Sequence, residues 1–166
     1  MSAGADFDPG MDFHVYETFA WEDAIPLPTG DPRLDENPFF DERIREAVTA
    51  ELVARGIRNV DIDAQPSLLV HYHASVQDRI EVYHHDTAAG YEVSGFEAGT
   101  EVYQWDEGTL LVDLVDTESM RVVWRGWSRA DVTRALDDLE AMALLLQAAA
   151  REMFSHLPRE VGVGGA

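Results

Sequence analysis

The sequence predicts an α+β domain: a mainly antiparallel sheet with two amphipathic helices packed on one face. Three observations carry this. Two segments, around residues 40–55 and 134–156, repeat apolar residues every three or four positions, as a helix with one buried face requires. Four other segments are rich in β-branched and aromatic residues and read as strands. Strand and helix do not alternate strictly along the chain, which disfavours a doubly wound parallel sheet.

The chain opens on polar residues up to Met11. Phe13 to Trp21 then reads as one strand, with Phe13, Val15, Glu17, Phe19 and Trp21 on one face. Pro26, Pro28, Pro32 and Pro38 follow; proline fixes φ and removes ladder donors, so this stretch is expected to be a loop wrapping over the surface. Asn37-Pro38 marks the entrance of the first helix, with Asp41 and Glu42 near the positive end of its dipole. Phe40, Ile44, Ala47, Val48 and Leu52 form its apolar stripe, and Gly56 stands where a left-handed C-terminal residue is expected.

Ser67 to Val76 is the next strand, followed by the alternating run Arg79 to Tyr83. Gln77-Asp78 is not a preferred two-residue hairpin turn, so the two runs are expected to form one long bent strand. Residues 84–100, with Gly90, Gly95 and Gly99, read as a mobile connection. Thr109–Val115 and Arg121–Trp127 form a hairpin around Asp116–Met120. Leu110, Val112 and Leu114 line one face of the first of these strands, and Leu111 and Val115 flank Asp113 on the other, as in a central strand. The second helix is predicted from Arg134 to His156, with Leu136, Leu139, Ala143, Leu146, Ala150, Met153 and Leu157 on its stripe and Pro158 as its stop. The whole is read as a single domain over residues 6–157 with a disordered tail over 158–166.

Charge narrows the function classes. Thirty-two acids face twelve bases, every base is Arg, and the formal net charge is −20. Such a chain repels nucleic acid and anionic lipid surfaces. Its self-repulsion opposes compaction and is relieved by salt, which suggests a salt-adapted source; codon bias in a GC-rich genome is the other account of Arg without Lys. There are no cysteines, so disulfides, thiolate metal sites and cysteine nucleophiles are excluded. No apolar run reaches the length of a membrane-spanning helix; the longest, Ala141 to Ala150, contains Gln147. Met1 to Ala5 has neither the basic nor the apolar region of a signal peptide, which taken literally points to the cytoplasm.

The metal candidates are the histidines. His71 and His73 lie two apart on a strand and hence on one face, and His84-His85 follow, with Asp86 as a further donor for a zinc-like divalent ion. A turn at Gln77-Asp78 would set His71 opposite His84. The plainer reading is strand histidines bonded to backbone or water. No carboxylate pair stands out for acid–base work among so many acids; Asp113, interrupting an apolar strand, needs a partner that Arg125 on the next strand supplies as a structural ion pair. Ser67 and Ser75 lack a nucleophile elbow, and Gly162-Val163-Gly164-Gly165 neither follows a strand nor opens a helix. No catalytic residue and no resident cofactor is assigned. Trp21, Trp105, Trp124 and Trp127, with Tyr16, Tyr72, Tyr83 and Tyr103, serve core packing, or in part an exposed patch for a partner.

The ordered set Asp6-Phe7-Asp8-Pro9, Asp12-Phe13 with Tyr16, Thr18-Phe19 and Trp21, Asn37-Pro38, Asp41 with Arg43-Ile44, and Glu51-Leu52 with Ala54-Arg55-Gly56 resembles a bacterial lipoprotein family catalogued as domain of unknown function forty-one thirty-six. The resemblance continues through Pro66, Leu68-Leu69-Val70, Tyr72-His73, the run Glu107 to Asp116, and Val123-Trp124-Arg125-Gly126. It implies a cell-envelope or periplasmic location through an N-terminal lipid, whose signal and Cys this chain lacks, and it supplies no catalytic residues. The expected function is therefore a non-enzymatic envelope module that binds a protein or small ligand through its sheet face. The alternatives are a metal-binding protein or metal-dependent enzyme using His71, His73 and His84 or His85, and a cytoplasmic salt-adapted binding protein. The charge reading has a direct test: the melting temperature rises between ~0.1 and ~2 M NaCl as screening shortens the reach of the surplus acids.

Overall fold

The two apolar stripes become the two main helices of a computed structural model that describes residues 1–84 and 100–162. Helix α2 (Phe40–Ala54) buries Phe40, Ile44, Ala47, Val48 and Leu52, the residues its spacing selected, and ends at Gly56 with φ +82°. The second stripe starts later than expected. Asp138 is extended (φ −133°, ψ 105°), and its carboxylate accepts from the N–H groups of Glu140 and Ala141, so helix α3 is Leu139–Phe154 with Asp138 as its cap. A separate 3-10 turn, Ala135–Asp137, precedes it. Leu139 is consequently exposed, and the buried stripe is Met142, Leu146, Ala149, Ala150, Met153 and Phe154.

The strand expected over 13–21 is divided. Asp12 accepts from the His14 N–H and starts a 3-10 turn at Phe13–Val15, leaving only β2 (Thr18–Trp21) extended. In a 3-10 turn residues three apart eclipse, so Phe13 and Tyr16 are both buried while Val15 points outward. Strand β1 (Ser2–Phe7) was not expected at all, because Ser-Ala-Gly-Ala has little β propensity. It forms because Trp127 of β6 (Arg121–Asp131) lies across it: a Cβ at Gly4 would come within 2.7 Å of the indole.

Strand β4 (Leu68–His84) runs straight through Gln77-Asp78, the expected single long strand, and pairs along its length with β5 (Thr100–Asp116). The order across the sheet is β1-β6-β5-β4-β2-β3, with β3 at Arg58–Asn59. The three pairings from β1 to β4 are antiparallel, whereas β2 runs parallel to both β4 and β3. The sheet is therefore mixed, a correction to the mainly antiparallel expectation. The parallel part arises because α2 carries the chain from β2 back to the same end of the sheet, as a crossover between parallel strands must. The hairpin position of β5 as an inner strand is as read from its two apolar faces.

The proline-rich stretch is a strap along the edge of β4, with a one-turn helix α1 (Pro32–Asp35) at its end. Glu22 N–H donates to Val70 O (3.0 Å) and Val76 N–H to Thr29 O (2.8 Å), tying the strap down at both ends. The segment from 84 to 100 read as mobile lies, for residues 85–99, outside the described residues, as does the end of the tail from 163.

Both α2 and α3 cover the same face of the sheet in one core. Tyr72 on that face donates to Asp41 Oδ1 of α2 (2.7 Å), and Trp21 Nε1 donates to Thr49 (3.1 Å). At the α3 end Trp124, fully buried, stacks on Phe154 with ring centroids 4.8 Å apart. Gly126 makes room for that ring: a Cβ there would fall 2.1 Å from Trp124 and 2.4 Å from Met153. Gly126→Ala is accordingly expected to cost about 3 kcal/mol, seen as a lower urea midpoint with an unchanged slope.

Candidate functional site

Among the described residues nothing covers the face of the sheet turned away from the helices, and strand alternation determines what it shows. A one-residue step along any strand sends a side chain to the other face. In register across this outer face lie Asp6 of β1, Arg125 of β6, Asp113 of β5 and His71 of β4. Glu22, just after β2, ends the row with its Oε2 3.3 Å from His71 Nδ1. Arg125 Nε and Nη2 donate to the two Asp113 oxygens at 2.6 and 2.8 Å, the bidentate fork that suits guanidinium and carboxylate. Asp113, expected to need this partner, is buried, while Arg125 remains half exposed. The hydrogen bond to Asp113, then its charge, and further off the charge of Asp6, raise the Arg125 pKa above its ordinary value. The guanidinium is thus permanently cationic and supplies no proton at physiological pH.

Apolar groups flank this row. Leu69, Val115 and Val122 stand on one side, and Leu111 and Trp127 on the other. Arg129 lies over the Trp127 ring at 5.5 Å, a further cation on an aromatic face. Asp113 and Arg125 satisfy each other at the centre of the row, and the arrangement offers an aromatic and aliphatic surface with a fixed ion pair at its centre.

The histidines are spread out. His71 and His73 share the outer face, both half-buried, with His71 beside Glu22 and His73 opposite Leu111. Because β4 is one strand, His71 does not turn back to His84. The two are thirteen positions apart along it, roughly 40 Å at about 3.3 Å per residue. His85 and Asp86 lie outside the described residues. Among the described residues no group of three or more His, Asp or Glu stands close enough to hold a metal ion.

A second recess sits at the end of the sheet where β4 begins and β5 ends. It is an open cleft of about 760 Å³ bordered by Val15, Gln65, Pro66, Ser67 and Met120. Gln65 (φ 55°) and Met120 (φ 54°), the two non-glycine residues with positive φ among the described residues, both border it. Its floor is a closed network. Tyr16 Oη donates to Asp116 Oδ2 (2.7 Å), Asp116 Oδ1 accepts from the N–H groups of Glu118 (2.8 Å) and Ser119 (3.2 Å), and Ser67 Oγ donates to Thr18 O (2.8 Å). Burial, then the hydrogen bond to Asp116, pushes the Tyr16 hydroxyl above its ordinary pKa. That same hydrogen bond, helped by the two backbone donors, holds the Asp116 carboxyl below 3.8. These groups hold the start of β2 and the turn before it against the start of β4 and the end of β5.

A family model described as Domain of unknown function (DUF4136) matches residues 4–159. The chain belongs to that family. A DUF4136 family protein from Bacteroides thetaiotaomicron has the same fold, with TM-score 0.55 at 14% identity over 95% of each chain. A PDZ domain protein from Parabacteroides distasonis is similar with TM-score 0.59 at 17% identity over 94% of this chain, which spans 35% of the length of that one. A PelC dodecamer from Paraburkholderia phytofirmans gives TM-score 0.50 at 13% identity over 96% of this chain and 98% of its own. At such identities these likenesses show the fold alone. No curated protein matches the sequence.

Sequence reasoning did not find three features of this DUF4136 domain: Trp127 lying on Gly4, Glu22 closing the charge row, and the Tyr16–Asp116 bond. Each joins residues distant in sequence. The available signal was small residues in β1 facing a strand of tryptophans. The Asp116 network has a pH signature. A carboxyl depressed in the folded state contributes stability that is fully present above its unfolded value of 3.8 and is lost as pH falls through the lower folded value. Tyr16→Phe removes the main cause, so it costs about 1–2 kcal/mol near pH 7. The difference from the natural chain narrows below pH 3.8 in acid unfolding curves.

Proposed function

We propose that this chain is a binding module of the cell envelope, not an enzyme, and that it presents the outer face of its sheet to a protein partner. The observation that carries the reading is the uncovered face itself: Trp127, Leu111 and Val122 around the Arg125–Asp113 pair, opposite the face that α2 and α3 bury. Trp and Arg are the residues most enriched at binding hot spots, and a pre-satisfied ion pair at the centre fixes orientation without an unpaired charge to desolvate. The strong negative charge supports the exclusion of nucleic acid as that partner. The envelope location is supported by the lipoprotein resemblance, which implies an N-terminal lipid outside this chain.

The test uses full-length protein expressed in its native host and chemically cross-linked in intact envelopes. Trp127→Ser, checked by circular dichroism because the indole also lies over β1, weakens capture of the specific partner by roughly 30-fold, the scale of a Trp hot spot, and Val122→Arg, at an exposed position of the same face, weakens it as well. A partner set unchanged by Trp127→Ser removes the sheet face from consideration. A reading frame without a lipidation signal upstream removes the lipid anchor.

A further inference from the structure

The cleft where β4 begins and β5 ends has the capacity of a ligand site. Its volume of about 760 Å³ falls within the ~300–1,000 Å³ of small-molecule pockets. Its rim is apolar. Val15 of the 3-10 turn before β2, Ile62 of a second 3-10 turn (Ile62–Ala64) and Met120 of the β5–β6 turn all line it, and they are 60%, 44% and 64% exposed. Leu69 of β4 lines it from the sheet. In a chain this rich in charge, three large apolar side chains left to water around one concavity mark a surface that a partner covers.

The charge inside the rim has one sign. Asp116 and Glu118 line the cleft, and among the described residues no arginine or histidine lines it with them. Asp116 is held ionised by the Tyr16 hydroxyl and two backbone N–H groups, none of them a cation. Asp8 and Glu118 add further negative charge at that hydroxyl. A cleft with one sign of charge between apolar walls focuses the field and draws in the opposite sign. The acids do not suit a metal ion: Asp116 already accepts three hydrogen bonds, and among the described residues no three carboxylates or imidazoles gather. The fitting cation is therefore organic, with apolar surface on either side of its charge. Guanidinium suits the place better than ammonium, because it is more weakly hydrated and costs less to draw from water.

We propose that this cleft binds a short extended segment of a protein partner in which an arginine stands between aliphatic residues. The arginine is directed at Glu118 and Asp116, and its aliphatic neighbours lie against Val15, Ile62 and Met120. A lone alkylamine would leave most of the volume unfilled, whereas a few residues of peptide occupy it. The proposal rests on the reading of this chain as a binding module, but the cleft lies apart from the tryptophan that carries that reading. Arg121 is in register with Asp116, and Trp127 is six positions farther along β6, roughly 20 Å at about 3.3 Å per residue.

The experiment titrates two N-acetylated, amidated tripeptides, leucine–arginine–leucine and leucine–glutamine–leucine, into the full chain and follows the amide chemical shifts of Leu69, Thr117 and Glu118. Saturable shifts confined to the cleft are expected, with the arginine peptide at least ~5-fold tighter than the glutamine peptide. Glu118→Gln, at an exposed turn position, weakens the arginine peptide roughly 3-fold and leaves the glutamine peptide unchanged; Glu152→Gln, which removes the same charge from the exposed side of α3, changes neither. Ile62→Ser, its fold checked by circular dichroism, weakens both peptides roughly 3-fold. Trp127→Ser leaves both affinities unchanged, so a failure of these peptides to bind counts against the cleft and not against the sheet face. No saturation by the arginine peptide at ~20 mM, equal affinity for the two peptides, or equal weakening by Glu118→Gln and Glu152→Gln overturns the proposal.

Discussion

The stack of Trp124 on Phe154 sets the distance between sheet and helix, and much of the molecule follows from it. The indole is fully buried and its Nε1 has no hydrogen-bond partner, a cost accepted for its large apolar contact. Gly126 must lack a side chain so that the ring can lie flat along β6. Farther along, the small residues Ala74 and Ser128 of the sheet leave a narrow gap beneath Met142 and Leu146 of α3. A core of uniformly medium-sized residues would have closed the gap.

Much of this architecture was legible in the sequence because it rests on local periodicity. The stripe of α2, the continuity of β4 through Gln77-Asp78 and the two-faced apolar pattern of β5 each follow from spacing within a dozen residues. What was not legible depends on partners far along the chain. Strand β1 is poor in strand formers and exists because Trp127 lies over it. The turn at Phe13–Val15 is imposed by the Asp12 cap, which outweighs a run of strand-favouring residues. The split at Asp138 has the same origin: a carboxylate that can cap a helix start is better used there than inside the helix. Of the candidate site, the Asp113–Arg125 pair was readable, because a charge in an apolar strand demands its counterpart on the neighbour. The charge row beyond that pair required the register of four strands.

The absence of Lys has a structural reading as well. Arg33 reaches Asp31 (2.8 Å) and Asp137 (3.2 Å), joining the strap to the turn before α3. Arg159 donates to the carbonyls of Arg55 (2.7 Å), Phe13 (3.0 Å) and Tyr16, fastening the C-terminal segment to the 3-10 turn and the end of α2. A planar fork with several donors can serve two or three acceptors at once, which an ammonium on a flexible stem does less well. With so few cations among so many acids, Arg33 and Arg159 each serve as a tie between segments.

The proline strap has a consequence beyond loop length. It occupies the rim of β4 between Val70 and Val76, and Pro26 and Pro28 have no N–H with which to extend the ladder outward. An incoming extended peptide therefore finds no continuous template along that rim. Were the strap shortened or its prolines replaced, the same backbone would recruit strands from neighbouring molecules, so this segment guards the chain against aggregation.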